Sequence, residues 1–167
     1  MLYRAILFLC LFGFTSPIKT LEVDTHTLTG LSRRAVVEAE ESWTRQTRGC
    51  IQFKEDLHGV KIIRMTPPDK YDTDGTYTVG MCTGGVGDCR IIEIAFSKVP
   101  DFDTAVVIAA HEIGHALGLY HVCGNGWSDP CRPDDHSLMN PNGYKAYIRL
   151  SPLDRAELKR ATGCSLD

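Results

Sequence analysis

His111, Glu112, His115 and His121 lie within the eleven-residue stretch HEIGHALGLYH, a set of side chains that can bind a metal ion and activate water. On a helix, His111 and His115 are four residues apart, so both rings project from one face and can reach a common ion. Glu112 is turned aside by about 100°, which makes it a poor third ligand but leaves it close enough to polarise a metal-bound water. The spacing therefore predicts a metal centre with an adjacent general base.

The third histidine requires the helix to end, since His121 cannot approach the same ion along a straight helix. Gly118 can adopt the left-handed conformation that terminates helices, and a sharp turn there would bring His121 back to the metal. Three neutral imidazoles leave a fourth position of zinc open for water, as in a catalytic site. A bare HExxH also occurs by chance in helices that bind nothing, but the extended pattern is far more restrictive and predicts one catalytic zinc ion.

A methionine downstream extends the pattern. Met139 stands in the segment Ser137-Leu138-Met139-Asn140-Pro141, eighteen residues after His121. Taken alone, a methionine before Asn-Pro is more often ordinary loop packing. After the long histidine motif it predicts a methionine turn (Met-turn), which places the side chain beneath the zinc ligands as a hydrophobic floor.

With these motifs the chain resembles the metzincin clan of zinc endopeptidases, and within it looks most like a minimal matrixin catalytic domain. The resemblance covers about residues 30 to 163 and extends to residues 107–110, residues 149–154, and Trp43 with the strand 51–53. It implies an α+β, metzincin-like zincin fold, in which a twisted mixed sheet accompanies an N-terminal helix and a zinc-binding active-site helix. A loop-rich C-terminal half with the Met-turn and a final helix would follow. It also implies an extended substrate on an exposed edge strand, for which Ile91–Phe96 is the candidate.

The chain departs from matrixins at several positions. The calcium-binding and structural-zinc segments of that family are not found between Lys70 and Ser97, and Pro141-Asn142-Gly143-Tyr144 is one residue longer than a Pro-x-Tyr pocket segment. Val122 replaces the typical serine, and the sequence there is also similar to pappalysins. Astacin-like enzymes resemble the chain in the helix and at Cys50, Ile51 and Phe53, but they have Glu after the third histidine and Tyr two residues past the methionine. Val122 and Pro141 therefore argue against an astacin-like assignment.

The first twenty residues have the features of an export signal. Arg4 gives a positive start, and residues 5–14 are an uninterrupted run of apolar residues and one glycine, too short to span a membrane. The alternative, a buried strand or short helix, is uncommon for an apolar run at an extreme N-terminus. We expect a signal peptide at 1–20, cut either near Thr15 or after Thr20, and a single metallopeptidase domain at 21–167.

The net charge limits the classes of partner that the domain is expected to bind. Loss of residues 1–20 removes Arg4 and Lys19 and no acid, so the net charge changes from −3 to −5. A mildly acidic domain does not favour nucleic acid or an anionic membrane. We expect a monomer that is secreted, or exported to a periplasm, and that acts on a protein or peptide. No long propeptide or cysteine-switch segment precedes residue 30, so we also expect that its own chain does not keep it latent.

Six cysteines remain if Cys10 is lost with the signal, and an even number in a small exported chain predicts disulfides. A second, Cys-rich zinc site is the alternative, but the spacings lack a CxxC. Connectivity cannot be deduced from sequence alone. The pairing we expect is Cys82 with Cys89, Cys123 with Cys131, and Cys50 with Cys164.

Hydrophobic periodicity predicts three helices and four strands. Ser32 is the expected cap of a first helix with an apolar face at Ala35, Val36, Ala39 and Trp43, and Asp103 or Thr104 that of the zinc helix. Ser151, Pro152 and Asp154 predict the start of a final helix that stops at Gly163. The strand candidates are Ile51–Lys54, Val60–Met65, Thr76–Met81 and Ile91–Phe96.

These features predict a secreted zinc endopeptidase in which Glu112 is the general base and acid. The alternative is a zinc-stabilised binding or toxin-like protein with a vestigial protease site. Such a protein would be indifferent to Glu112→Ala, or would act on its target after zinc is removed.

Overall fold

The computed structural model describes residues 18–64, 80–122, 137–140 and 148–166. Within these ranges it contains five strands, three α-helices and one 3-10 turn at Phe96–Lys98. In chain order the elements are β1 (Lys19–Asp24), α1 (Gly30–Gln46), β2 (Ile51–Glu55), β3 (Val60–Arg64), β4 (Gly80–Thr83), β5 (Ile91–Ile94), α2 (Phe102–Ala116) and α3 (Pro152–Thr162).

The strands form one mixed sheet in the order β2-β1-β3-β5-β4. β1 is parallel to β2 and β3, β3 is parallel to β5, and β4 runs antiparallel to β5. The predicted mixed sheet is therefore confirmed. The prediction that Ile91–Phe96 is the edge strand is wrong, because β5 pairs on both sides and β4 is outermost. Ile92 and Ile94 are fully buried, and a strand this rich in isoleucine is typical of a sheet interior.

Strand β1 is the element that the sequence analysis missed. It begins at Lys19, inside the segment predicted as a signal, and Val23 and Asp24 at its end are buried. The predicted strands at 51 and 60 agree with β2 and β3 within one residue. The Thr76–Met81 candidate overlaps β4 at Gly80 and Met81, and its residues 76–79 lie outside the described part of the chain.

Helix α1 packs its apolar face against α2. Ala35, Val36, Ala39 and Trp43 are all fully buried, as predicted. The predicted cap at Ser32 is wrong: Thr29 is the N-cap residue, and the Ser32 hydroxyl donates a hydrogen bond to the Thr29 carbonyl from inside the first turn. The Trp43 indole N–H donates to the carbonyl of Ala110 at 3.0 Å, which ties α1 to the residue before His111.

Helix α2 is capped by Asp101 rather than by Asp103 or Thr104, so this prediction is also wrong. Asp101 has extended backbone dihedrals and its carboxylate accepts the Thr104 backbone N–H at 2.7 Å, whereas Asp103 already lies in the first turn. Every residue from Ala105 to His115 is buried. A helix enclosed along most of its length gives its side chains little freedom to move.

Helix α3 has the predicted boundaries. Ser151 and Asp154 form a reciprocal capping box, Pro152 is the first helical residue, and Gly163 ends the helix in the left-handed conformation. The Cys50–Cys164 disulfide links the end of α3 to the residue before β2, and Cys82–Cys89 closes the loop between β4 and β5. Both pairings are confirmed, whereas Cys123 and Cys131 lie outside the described residues. Within the described ranges, no helix is both long and apolar enough to cross a membrane.

Candidate metal centre

The three histidines of the HEIGHALGLYH motif converge in the structure. Nε2 of His121 lies 3.2 Å from Nε2 of His111 and 3.1 Å from Nε2 of His115. One candidate ligand atom from each residue lies within 4.8 Å of the others, and the described ranges contain no second such group of His, Cys, Asp or Glu side chains. The turn after α2 therefore brings the three imidazoles together, as the spacing predicts.

Backbone carbonyls fix the tautomers of the two histidines on α2. Nδ1 of His111 lies 2.8 Å from the Leu138 carbonyl, and Nδ1 of His115 lies 2.8 Å from the Leu119 carbonyl. A carbonyl only accepts hydrogen bonds, so both neutral rings carry their proton on Nδ1. Each ring therefore presents an unprotonated Nε2 toward His121, which is the form that binds a metal.

Burial keeps these rings neutral. Burial first, and then the neighbouring His115, lower the pKa of His111 to about 3 and the pKa of His121 to about 4. Burial also lowers the pKa of His115, although its bond to the Leu119 carbonyl opposes the shift. Because metal ligation needs neutral imidazole, the site requires no deprotonation of these rings at neutral pH.

The turn between the second and third histidines is a Schellman motif. Gly118 has a φ of +93°, its N–H donates to the His115 carbonyl, and the Leu119 N–H donates to the Gly114 carbonyl at 2.9 Å. The left-handed conformation reverses the chain within three residues and turns the Leu119 carbonyl toward the His115 ring. The predicted helix end at Gly118 is therefore confirmed, and it has a second role in orienting His115.

Glu112 packs directly against the outermost strand of the sheet. A Cβ atom on Gly80 would lie only 2.5 Å from Oε1 of Glu112 and 2.9 Å from its Cγ, so only a glycine fits in β4 at this contact. Glu112 is buried, and burial raises its pKa to about 8. The carboxyl group therefore holds a proton more strongly than an exposed glutamate does.

Met139 lies against the backbone of α2 between the two helical histidines. The side chain is fully buried, and a Cβ atom on Gly114 would lie 2.5 Å from its sulfur and 3.2 Å from its Cε. Gly114 thus leaves the space that Met139 fills, with the Trp43 ring 3.5 Å from the same point.

Asp154 at the start of α3 organises the turn that contains Met139. Its carboxylate accepts hydrogen bonds from the Ser137 hydroxyl at 2.5 Å, the Leu138 N–H at 2.9 Å and the Met139 N–H at 3.2 Å. Asp154 is fully buried, and it also accepts the Ser151 N–H of its own capping box. Because the Leu138 carbonyl bonds to His111, Asp154 connects α3 to the first histidine through one backbone turn.

The donor set fits zinc. His111 and His115 both aim lone pairs at His121, and a single proton on His121 Nε2 could satisfy only one of them. A cation bound by three neutral imidazoles satisfies all three, and Zn²⁺ accepts imidazole nitrogens in catalytic sites with a further position left open. An α+β domain with such a histidine triad is compatible with a zincin.

Comparison with known proteins identifies the family. The model of the Astacin peptidase family matches residues 21–124, which is more than half of the chain, so the chain belongs to the astacin family. It is also similar to the zinc metalloproteinase nas-27 of Caenorhabditis elegans, with 28% identity over 120 residues. That alignment covers 72% of this chain and 25% of the relative, so the chain spans about a quarter of the length of the protein it matches.

The matrixin-like assignment is therefore wrong, although the metzincin zinc protease class is supported. Val122 and Pro141 each differ from the astacin-like pattern, but the family match extends over α1, the sheet and α2, which those two positions do not outweigh. Val122 lies inside the matched segment and is a substitution within the family.

Four groups at the site were not predicted as functional. The roles of the Leu119 and Leu138 carbonyls cannot be recognised from the sequence, because every residue has a backbone carbonyl. Asp154 is visible as a helix cap, but its bonds to residues 137–139 depend on tertiary packing. Gly80 had a signal, since a glycine within a strand indicates close approach of another group. His136 is predicted from the sequence to be either a surface residue or a residue that contacts the ligands, since three histidine ligands are already in place, and it lies outside the described residues.

Proposed function

We propose that the chain contains the catalytic domain of an exported zinc endopeptidase. The observation that carries the proposal is the convergence of three neutral imidazoles beside one buried carboxyl group, with Nε2 atoms 3.1 and 3.2 Å apart. His111, His115 and His121 would hold one zinc ion, and Met139 would form the floor beneath them. The chemistry that bound zinc supplies is Lewis acidity toward the scissile carbonyl and toward water.

Glu112 would act as general base and then as general acid. Its carboxylate would take a proton from the attacking water and deliver it to the amine of the departing peptide, so no covalent intermediate is needed. The position of Glu112 supports this role, because the carboxyl is buried against Gly80 and adjoins His111 in the chain. A dication bound by the adjacent histidines would lower the pKa of this carboxyl, so that the ionised form is available to take the proton.

The substrate would lie extended beside β4. This strand is outermost among the described strands of the sheet, and its residue Gly80 touches Glu112, so a peptide paired with β4 would pass next to the proposed general base. Backbone hydrogen bonds along a strand edge recognise extended peptides with little regard to sequence. This assignment replaces the strand Ile91–Ile94, which lies inside the sheet.

Export would follow cleavage of the predicted signal. β1 begins at Lys19, so a cut near Thr15 leaves this strand whole, whereas a cut after Thr20 removes its first two residues. We therefore favour the earlier cut and a monomeric domain outside the cytoplasm, where Cys50–Cys164 and Cys82–Cys89 remain oxidised. N-terminal sequencing of the secreted protein distinguishes the two cuts.

The decisive experiment compares the zinc-loaded protein with Glu112→Ala and Glu112→Gln on an unstructured protein substrate. We expect cleavage by the wild type and a loss of at least about 100-fold in kcat/KM in both variants, which is the low end for a proton-transfer group. All three proteins should bind zinc equally, because Glu112 is not a proposed ligand. Retained cleavage in Glu112→Ala, or an intact substrate with zinc-loaded wild type, would contradict the proposal.

A further inference from the structure

Helix α3 contacts the turn between His115 and His121 at three points. Nη2 of Arg160 donates a hydrogen bond to the Gly118 carbonyl at 3.2 Å, and the Arg160 guanidinium carbon lies 5.4 Å from the centre of the Tyr120 ring. A Cβ atom on Gly118 would lie 3.2 Å from the Ala161 Cβ, so the helix and the turn are in close contact. The turn that carries the third histidine therefore rests on α3.

Glu157 holds Arg160 in this position. Its Oε2 accepts hydrogen bonds from Nε of Arg160 at 2.9 Å and from Nη2 at 2.7 Å. The same Nη2 bonds to the Gly118 carbonyl, so the guanidinium bridges α3 and the turn. A planar guanidinium group that is already held by a carboxylate loses little further conformational freedom when its other N–H groups bond a carbonyl.

His121 depends on this support more than the other two histidines do. His111 and His115 lie on a buried helix and each bonds a carbonyl through Nδ1. For His121, the polar contacts of the ring with described residues are the short Nε2–Nε2 distances to the other two histidines. Its backbone is anchored by the Val122 N–H, which donates to the Met139 carbonyl at 3.4 Å, and by the turn that precedes it.

We propose that Arg160 is a positioning residue for the third histidine. It clamps Gly118 and Tyr120 against α3, which sets where His121 enters the site and so raises the affinity for zinc. The proposal rests on the proposed function only in that the three histidines bind zinc. A simple ion pair with Glu157 on the helix surface would contribute little to stability and nothing to metal binding.

The test measures zinc affinity by competition with a chromophoric chelator, using metal-free protein with its disulfides intact. Arg160→Ala should bind zinc about fivefold to tenfold more weakly, near the low end for groups that orient ligands, because the contact is partly exposed. Its Co²⁺ absorption spectrum should also change in the d-d region. Arg155→Ala is the matched control: Arg155 is exposed on the same helix, has no ion pair with a described residue, and should bind zinc within twofold of the wild type.

Two further variants keep the test decisive if Arg160→Ala folds poorly. Arg160→Lys retains a positive charge near the Tyr120 ring but lacks the planar guanidinium that bonds both Glu157 and the Gly118 carbonyl. Its zinc affinity should therefore fall between those of the wild type and Arg160→Ala. Tyr120→Leu should weaken zinc binding as well, and its effect should be smaller in the Arg160→Ala background, because the two side chains belong to one clamp. Additive effects would overturn the clamp.

The outcomes separate this inference from the proposed function. Zinc affinity in Arg160→Ala equal to that of Arg155→Ala would overturn the inference and leave the peptidase proposal intact. Weakened zinc binding together with no Glu112-dependent cleavage by the wild type would support the inference and contradict the peptidase proposal. A wild type that binds no zinc would contradict both.

Discussion

The first two histidines and the third are held in different ways. His111 and His115 lie on α2, whose residues 105–115 are all buried, and their spacing alone determines that they face one point. His121 lies beyond the helix on a turn that α3 supports from outside. The positions of two proposed ligands therefore follow from local helix geometry, whereas the position of the third follows from a contact between segments that are distant in the chain.

Replacement of Asp154 tests whether the two helical histidines also depend on α3, and it should lower the free energy of unfolding strongly. Asp154→Ala leaves the buried Leu138 N–H without its acceptor and leaves the Met139 N–H with the Ser137 hydroxyl oxygen alone. It also frees the turn whose Leu138 carbonyl orients His111. We expect a loss of about 3 to 5 kcal/mol in the free energy of unfolding, the range for removing one partner of a buried charged network. Urea unfolding measures it.

Asp88→Asn is a suitable control, because Asp88 has a side chain 73% exposed and only a long contact to Arg90. We expect its unfolding free energy to stay within about 0.5 kcal/mol of the wild type. A similarly small change in Asp154→Ala would mean that the helical histidines need no support from α3, contrary to our description of the Leu138 turn.

Gly80→Ala separates the proposed role of Glu112 as general base from the proposed binding of zinc by the three histidines. The added methyl would occupy the space of the Glu112 carboxyl, with Cβ 2.5 Å from Oε1. We expect kcat to fall about 10-fold to 100-fold, as small displacements of catalytic groups do, while zinc affinity is unchanged. Gln52→Ala, exposed on β2 at the opposite end of the strand order, should leave kcat unaltered. If Gly80→Ala reduces zinc affinity as strongly as kcat, then Gly80 supports the whole site rather than Glu112.

The smallest effect that we expect is a pH-dependent change in stability, and it comes from Glu40 in α1, away from the site. Its Oε1 is buried with no hydrogen-bond partner in the described residues, and burial, with Glu55 and Glu41 nearby and Arg33 opposing, raises its pKa to about 7. The folded state therefore binds more protons than the unfolded chain between the ordinary pKa and pH 7. The contribution of Glu40 to the free energy of unfolding is therefore fully present below its ordinary pKa, and it is lost as the pH rises through 7.

Glu40→Gln should remove that pH dependence. At pH 8 it should be more stable than the wild type by about 1 to 2 kcal/mol, a value reduced for partial exposure, and near pH 4 the two should be equal. Urea unfolding at the two pH values, with zinc content matched, tests this. Glu41→Gln, in an exposed i,i+4 pair with Arg45, should show no such difference. Equal wild-type and Glu40→Gln stability at pH 8 would contradict the assignment.

Features of the molecule that depend on local contacts could be predicted from the sequence, and features that depend on distant contacts could not. The HExxH spacing, the glycine after the helix and the box at Ser151 are short-range signals, and the structure has the corresponding elements in place. The cap of α1 at Thr29 and the edge position of β4 were missed, since each depends on neighbours that spacing does not reveal. Strand β1 was missed because its first residues, Lys19 and Thr20, lie within the segment predicted as a signal peptide.

The subgroup was misjudged for a related reason. Val122 and Pro141 were given weight as single positions, whereas the astacin family match spans residues 21–124 as a whole. One substituted residue beside a ligand changes a local contact without changing the fold that positions the ligands. Family membership is carried by the pattern over α1, the sheet and α2 together.

The most direct test of the central claim is the metal content of the purified protein, combined with X-ray absorption at the zinc edge, for the wild type and His121→Ala. We predict one zinc per chain coordinated by three imidazole nitrogens and one oxygen ligand, and a large loss of zinc in His121→Ala. A wild type without zinc, or zinc bound by cysteine sulfur, would contradict the account. So would full zinc occupancy in His121→Ala.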